Sequence, residues 1–532
     1  MFKFIQRHLD VTLLRSSLVF ALIYCVLFNS AVFIYKFEYF QADILTAILE
    51  LVKDFVYVLV TLFLFFFGLT LHRVLFIAGS LILFITGALA SYYLFFFSIA
   101  PTPAMMPALF GTHPTEVYEL VSARIVVWLV FSVGICLYSI KHFKVQTTKM
   151  FFTRILSAVC LLLIVVNIIT PKFSFLKTYF PIQYLHNSYV FFIGPSKEYT
   201  KEDISSKFTF VDSSDKDVVG VLVIGESARY SNFAINGYER DTTPILSKID
   251  NLASFKTRAC ANTTYLSVPC MLSRYGEKDL RLIDTETSML SILTRLGFDT
   301  IWMGTQSITK YYKNKPGGSF YDEVNFHMIP GGSLVFLPNS HDVQMLPHLE
   351  KNLESGAKKF IVLHSTGSHW NYGERYPREF AQFQPDLDGS IKHDASSCNK
   401  EELVNSYDNS ILYTDFFLSS VIDRLKDKKA FMIYASDHGE SLGECGRLTH
   451  GGDGEIPEQR TVPLMVWMSD SYKDAYPDKW SAIEVAKANE ISHSSEISHD
   501  YIFHSILDCL GIESEIIDKG LSLCRANSFD KG

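Results

Sequence analysis

Hydrophobic and polar positions divide the chain into two regimes. Up to Thr170, long uncharged runs recur at Ser16 to Tyr35, Phe55 to Leu71, Val74 to Phe97, Val121 to Ile140 and Ile155 to Thr170. Helices of such length cross a hydrocarbon layer of about 30 Å at a rise of about 1.5 Å per residue, so five membrane spans are predicted. Arg124 falls near one end of the fourth, where a long side chain reaches the interface. From Pro171 to Asp217 aromatic residues interleave with Lys and His, which reads equally as a partly helical linker along the membrane surface or as an aromatic stripe packed on the following domain. Beyond it the period shortens. Val218 to Ile224, Thr300 to Met303, Phe360 to Leu363, Ala430 to Ala435 and Val462 to Met468 are short apolar runs that read as buried strands, with helical stretches such as Leu403 to Leu425 between them. Alternation of this kind predicts an α/β domain with a mainly parallel sheet.

Composition agrees with a membrane part joined to a globular part. Of 532 residues, 48% are hydrophobic and 20% charged, with 43 Phe, more apolar than a soluble domain requires. The net charge of -8 and the lack of a long basic run exclude the electrostatic footprint of nucleic-acid binding. Lys3, Arg7, Arg15, Arg73, Lys141, Lys144, Lys149 and Arg154 fall in loops on one side of the expected spans, against Lys36, Lys53 and at most Arg124 on the other. By the excess of Lys and Arg in cytoplasmic loops, the N-terminus is expected in the cytoplasm and everything after Thr170 on the far side. The first run is long, lacks a small-residue cleavage pattern and is followed by further spans, so a cleaved signal peptide is not expected.

Candidate chemistry gathers where the predicted strands end, which is where open α/β sheets bind ligands. The first run leads to Glu226; the third leads to His364 and then His369; the fourth leads to Asp437 and His438, with His450 shortly beyond. Carboxylates and imidazoles together form a donor set suited to zinc, less so to manganese. Taken singly, a Glu after a strand reads as a turn and an Asp-His pair as a helix cap; their joint occurrence at strand ends favours a metal. Hydroxyls in Asn262-Thr263-Thr264-Tyr265-Leu266-Ser267 precede an apolar run, so one of them can stand at a helix N-terminus, as a cap or as a nucleophile beside a bound phosphate.

Gly225-Glu226-Ser227-Ala228-Arg229, Asn232-Phe233, Gly237-Tyr238, Arg240, Thr242-Thr243-Pro244, Ser267-Val268-Pro269-Cys270 and Ser436-Asp437-His438-Gly439-Glu440-Ser441-Leu442-Gly443-Glu444 resemble the bacterial lipid A phosphoethanolamine transferases. That family includes the mobile colistin resistance enzymes and lies within the alkaline phosphatase and sulfatase superfamily. The resemblance implies a five-helix transmembrane domain over 1–170, a periplasmic interfacial linker over 171–217 and a periplasmic catalytic α/β domain over 218–532, an alkaline-phosphatase-like sandwich. It implies an inner-membrane, multi-pass, monomeric enzyme. Glu226, Thr264, Asp437 and His438 match metal ligands, with one zinc held tightly and room for a second. Thr264 matches the nucleophile, because the family's Thr lies four residues after one Cys and six before the next, here Cys260 and Cys270. His369, His450, His364, Lys310 and Gln306 match substrate-binding or second-metal positions; Gln306 stands where the family often has Asn.

A Cys260–Cys270 disulfide bracing the nucleophile is implied; the six cysteines after Thr170 allow 15 pairings, and among Cys398, Cys445, Cys509 and Cys524 the pairing stays open, with Cys509 to Cys524 one choice, whereas Cys25, Cys136 and Cys160 fall in spans as packing residues. The implied activity is zinc-dependent transfer of phosphoethanolamine from phosphatidylethanolamine, through a phosphoryl-threonine, to lipid A or another lipopolysaccharide acceptor, giving polymyxin resistance. A phosphoglycerol transferase or phosphodiesterase would use the same residues, and a non-catalytic membrane sensor would use them structurally. A sulfatase would need Arg where Met271 stands.

Overall fold

The computed structural model describes residues 10–38, 44–103, 105–111, 121–143, 150–171, 177–193, 201–210, 217–306, 333–337, 340–354, 356, 358–389, 395, 398–452, 456–493 and 497–525. The chain forms two compact units, one of residues 1–109 and 120–195, the other of 110–119 and 196–532.

Among the described residues, the first unit holds five helices long and apolar enough to cross a membrane: α1 (Val11–Phe37), α2 (Ile44–Leu69), α3 (Arg73–Phe97), α4 (Ala123–Phe143) and α5 (Phe151–Ile169). Asp10 starts α1 by accepting from the backbone N–H groups of Thr12 and Leu13, which satisfies donors a helix start leaves open. Phe20, Tyr24, Phe28, Phe66, Phe76 and Phe84 are fully buried at its centre and meet mostly edge to face, the favoured arrangement of aromatic pairs. The uncharged run predicts a second helix from Phe55, but α2 begins at Ile44. The added turns carry charges that are compensated, Glu50 by Lys53 within α2 and Asp54 by Lys36 of α1, so they do not end the helix. Within the aromatic segment after α5, α6 (Ile182–Phe192) is helical. Its entry is bound to the bundle: the Asn29 side-chain amide both donates to the Phe180 carbonyl and accepts from the Phe180 N–H, at 3.0 and 2.9 Å.

The second unit is built on an eight-stranded sheet. Its strands are β1 (Val219–Gly225), β2 (Leu252–Arg258), β3 (Asp299–Gly304), β4 (Ser333–Phe336), β5 (Lys359–His364), β6 (Ala430–Ser436), β7 (Thr461–Met468) and β8 (Ile497–Ser498). They lie in the order β8-β2-β7-β6-β1-β5-β3-β4. All neighbours pair in parallel except β7, which runs antiparallel to β2 and to β6. β1, β5 and β6 are buried at every position, as parallel strands covered by helices on both faces must be. The helices that concern the site are α7 (Thr264–Met271), α8 (Lys400–Leu425) and α9 (Asp500–Cys509). β2 carries no continuous apolar run because an exposed Lys256 and a half-buried Arg258 interrupt it, so the pattern of the chain does not mark it as a strand.

Candidate active site

β1, β5 and β6 end side by side, which sets their following residues at one edge. Gly225 ends β1 against the Tyr434 ring; a Cβ there would lie 2.6 Å from that ring and its hydroxyl, so only glycine lets the strand pass. Glu226 follows, fully buried. Ser227, at φ 58°, turns the chain away and donates from Oγ to Glu226 Oε1 at 2.8 Å. Residues beyond this turn are held by α8. Asp408 accepts from Asn232 Nδ2 (2.9 Å), Tyr238 Oη (3.0 Å) and Arg240 Nη1 (2.8 Å), so these three motif residues serve a buried carboxylate rather than a substrate.

Opposite Glu226 stands α7. Thr263 has the extended backbone of a cap, and Thr264 opens the helix, whose free N–H groups and dipole favour an anion. The preceding loop is tied at nearly every residue: Arg460 donates to the carbonyls of Ala259 and Cys260, Ser267 Oγ bonds both backbone groups of Ala261, and a disulfide joins Cys260 to Cys270. A second disulfide joins Cys509 to Cys524.

Thr264 Oγ1 donates to Glu226 Oε2 at 3.0 Å and lies 3.2 Å from His438 Nε2. His438 Nε2 is 3.3 Å from Glu226 Oε1 and 3.4 Å from Asp437 Oδ2. Its Nδ1 faces the Gly439 carbonyl at 2.9 Å, so the proton belongs on Nδ1 and the Nε2 lone pair faces the carboxylates, the orientation a metal-binding imidazole adopts. Donor atoms of Glu226, Asp437 and His438 all lie within 4.8 Å of one another, as do those of Glu226, His369 and His450. His369 Nδ1 is fixed 2.6 Å from the Trp370 carbonyl and His450 Nδ1 lies 3.0 Å from Glu440 Oε2. Gln306 Nε2 donates to Glu226 Oε2 at 2.7 Å. His364 ends β5 with its ring edge-on to Trp302, outside both donor groups among the described residues, and Lys310 lies outside the described residues.

The charges here are unbalanced. Burial opposes ionisation of Glu226, but His438, His369 and His450 hold its carboxyl below the usual carboxylate range. Burial and the Glu226 charge push the Asp437 carboxyl well above it. Asp437 Oδ2 is buried and makes no hydrogen bond. A buried, unpartnered carboxylate oxygen costs several kcal/mol unless a cation meets it, and two carboxylates, an imidazole and a hydroxyl are the oxygen and nitrogen donors that zinc accepts.

Three further residues shape the site. Ser227 and Glu440 stand inside sequence motifs that already contain a metal candidate, so their proximity was the signal. Asp342 has no such signal: it is buried and accepts from Thr305 Oγ1 and from the N–H groups of Thr366 and Gly367 at 2.5, 2.8 and 3.0 Å, which holds the turn before His369.

Residues 219–512 match the family model described as Sulfatase, and residues 59–199 match the model of phosphoethanolamine transferase EptA/EptB. The chain is 36% identical over 319 residues to the Kdo(2)-lipid A phosphoethanolamine 7''-transferase of Escherichia coli, covering 58% of this chain and 54% of the relative. It thus spans about half the length of that curated relative. Over 497 residues it is 28% identical to the phosphoethanolamine transferase EptA of the same organism, covering 83% of this chain and 84% of the relative. The integral membrane lipooligosaccharide phosphoethanolamine transferase A of Neisseria meningitidis shares its fold, with a TM-score of 0.74 at 24% identity over 95% of this chain and 98% of that one. The Sulfatase model matches more than half of the chain and assigns it to the sulfatase family, while residues 59–199 are similar to the phosphoethanolamine transferase EptA/EptB model.

Proposed function

We propose that this protein transfers phosphoethanolamine from phosphatidylethanolamine to lipid A, using Thr264 as nucleophile and one zinc held by Glu226, Asp437, His438 and Thr264. The observation that carries this reading is the Thr264 hydroxyl at the start of α7, 3.0 Å from Glu226 and 3.2 Å from His438. When bound, zinc would supply the positive charge that acidifies a hydroxyl and offsets charge on a phosphoryl oxygen. In the first step the Thr264 Oγ1–P bond forms as the bond from phosphorus to the diacylglycerol oxygen breaks, and diacylglycerol leaves with a proton. In the second, an oxygen of a lipid A phosphate attacks the phosphothreonine and restores the Thr264 hydroxyl. His369, His450 and Gln306, which face the same carboxylate, are positioned to bind the phosphoryl group, His450 held in place by Glu440; the same role is proposed for His364 and Lys310. In this reading 1–170 anchors a periplasmic catalytic domain of 218–532 in the inner membrane, with the N-terminus cytoplasmic and 171–217 along the outer leaflet. Both lipids are then presented at high local concentration.

Mass spectrometry of lipid A from a Gram-negative host tests this directly. A phosphoethanolamine adduct is expected with the wild type and absent with Thr264→Ala; an adduct that survives Thr264→Ala removes Thr264 as nucleophile. Added amines lower the negative surface charge that attracts cationic peptides, so expression should also raise the polymyxin concentration needed to stop growth. Unchanged sensitivity beside a confirmed transfer would point to an acceptor other than lipid A.

A further inference from the structure

We infer that Gln459 is a positioning residue that couples the nucleophile loop to the two loops carrying the histidines, so that Thr264 is aligned through its amide. The side chain is 1% exposed and every hydrogen-bonding group it has points to a different part of the site. Gln459 Oε1 accepts from Asn262 Nδ2 at 3.1 Å, two residues before Thr264. Gln459 Nε2 donates to the Thr449 carbonyl at 3.1 Å, one residue before His450, and to Ser441 Oγ at 3.0 Å. A carbonyl oxygen only accepts, which fixes the amide nitrogen toward Thr449 and the amide oxygen toward Asn262. The backbone of Gln459 adds a fourth tie by accepting from the Gly439 N–H at 2.9 Å, next to His438.

The approach is close enough to be specific. A Cβ on Gly439 would fall 2.1 Å from the Glu458 carbonyl, so the strand end carrying Asp437 and His438 and the turn carrying Gln459 pack backbone to backbone. Thr449 has φ 61°, a strained conformation rare for a β-branched residue that persists only when its surroundings fix it; the bond to Gln459 is one such constraint. Asn262 Nδ2 also reaches the Gly452 carbonyl at 3.3 Å, so one amide pair joins residues flanking Thr264 and His450. Nothing in this arrangement touches the reacting atoms. Its effect is on where Thr264 and His450 stand relative to each other, and a displacement of about 1 Å in such geometry costs on the order of 100-fold in rate.

The inference rests on the phosphoryl-transfer reading above, and the test separates the two. Full-length protein in detergent is mixed with phosphatidylethanolamine without acceptor, and the phosphoethanolamine adduct on Thr264 is followed by intact-protein mass. Gln459→Glu keeps the shape and the acceptor but loses both donors. A fall of roughly 10- to 100-fold in the rate of labelling is expected, with the final labelled fraction and the zinc content at wild-type level. Asn262→Ala should slow labelling similarly, and adding it to Gln459→Glu should slow it little further, because both break one connection. Labelling at the wild-type rate in Gln459→Glu and Asn262→Ala overturns the inference alone. So does a labelled fraction that falls in step with the rate, since that reports lost folded protein. No adduct on the wild type overturns the transfer reading, and the inference with it.

Discussion

Asp342 shows how a residue far from the motifs sets the site. Its carboxylate takes one hydroxyl and two consecutive backbone N–H groups, and the turn it holds includes Gly367 at φ 49°. A Cβ on that glycine would lie 2.8 Å from the Glu226 carbonyl, so the turn before His369 lies directly on the backbone of a proposed metal ligand. Asp342→Asn puts an NH2 where an oxygen now accepts, leaving a buried N–H unpaired at a cost of about 1–3 kcal/mol. The expected outcome is a lower thermal midpoint, read by the loss of tertiary signal on heating, and a lower rate of adduct formation. A midpoint equal to wild type would mean that water or another group takes the place of the lost acceptor. Residues of this kind are invisible in the chain because their partners lie tens of residues away. Glu226, Asp437 and His438 stand out by following apolar strands, whereas Asp342, Asp408 and Gln459 follow no such signal and acquire their roles only when the chain is folded.

At the level of elements, legibility follows burial. β1, β5 and β6 are buried on both faces, so their sequences are unbroken apolar runs and their positions were readable. β2 pairs antiparallel with β7 and leaves Lys256 exposed, and β8 is only two residues long; neither offers a run to detect. The membrane helices differ in the other direction. A search for uncharged stretches places the start of α2 at Phe55, because Asp54 looks like an end. In the folded protein Asp54 is buried, paired with Lys36 of α1, and accepts from Tyr179 Oη at 2.8 Å. Removing one member of such a pair strands the other, which costs more than removing both. Asp54→Leu is therefore expected to lower the thermal midpoint of the detergent-solubilised protein, and Lys36→Met added to it should recover part of the loss. Additive losses in the double variant would show that the two side chains do not depend on each other.

For the molecule as a whole, the buried histidines of the second unit set a limit on acid tolerance. His504 on α9 is 3% exposed and accepts at Nδ1 from the Asp518 N–H at 3.1 Å. Burial lowers its pKa from 6.5 to about 4 against the opposing pull of Asp518. The unfolded chain keeps the ordinary value, so between pH 6.5 and about 4 the unfolded state binds the proton and the folded state does not. Stability must then fall as pH decreases through that window, by about 3 kcal/mol for a shift of this size. His364 and His499 are lowered in the same sense, so the wild-type decline is a joint effect and only a difference between variants isolates one ring. His504→Asn keeps a side-chain acceptor but cannot take up a proton. Its midpoint should be below wild type at neutral pH, where the packing of the ring is lost, and the gap should close as pH falls toward 4. Two curves that run parallel from pH 7 to 4 would show that His504 titrates alike in the folded and unfolded chains, and that the acid limit lies with other groups.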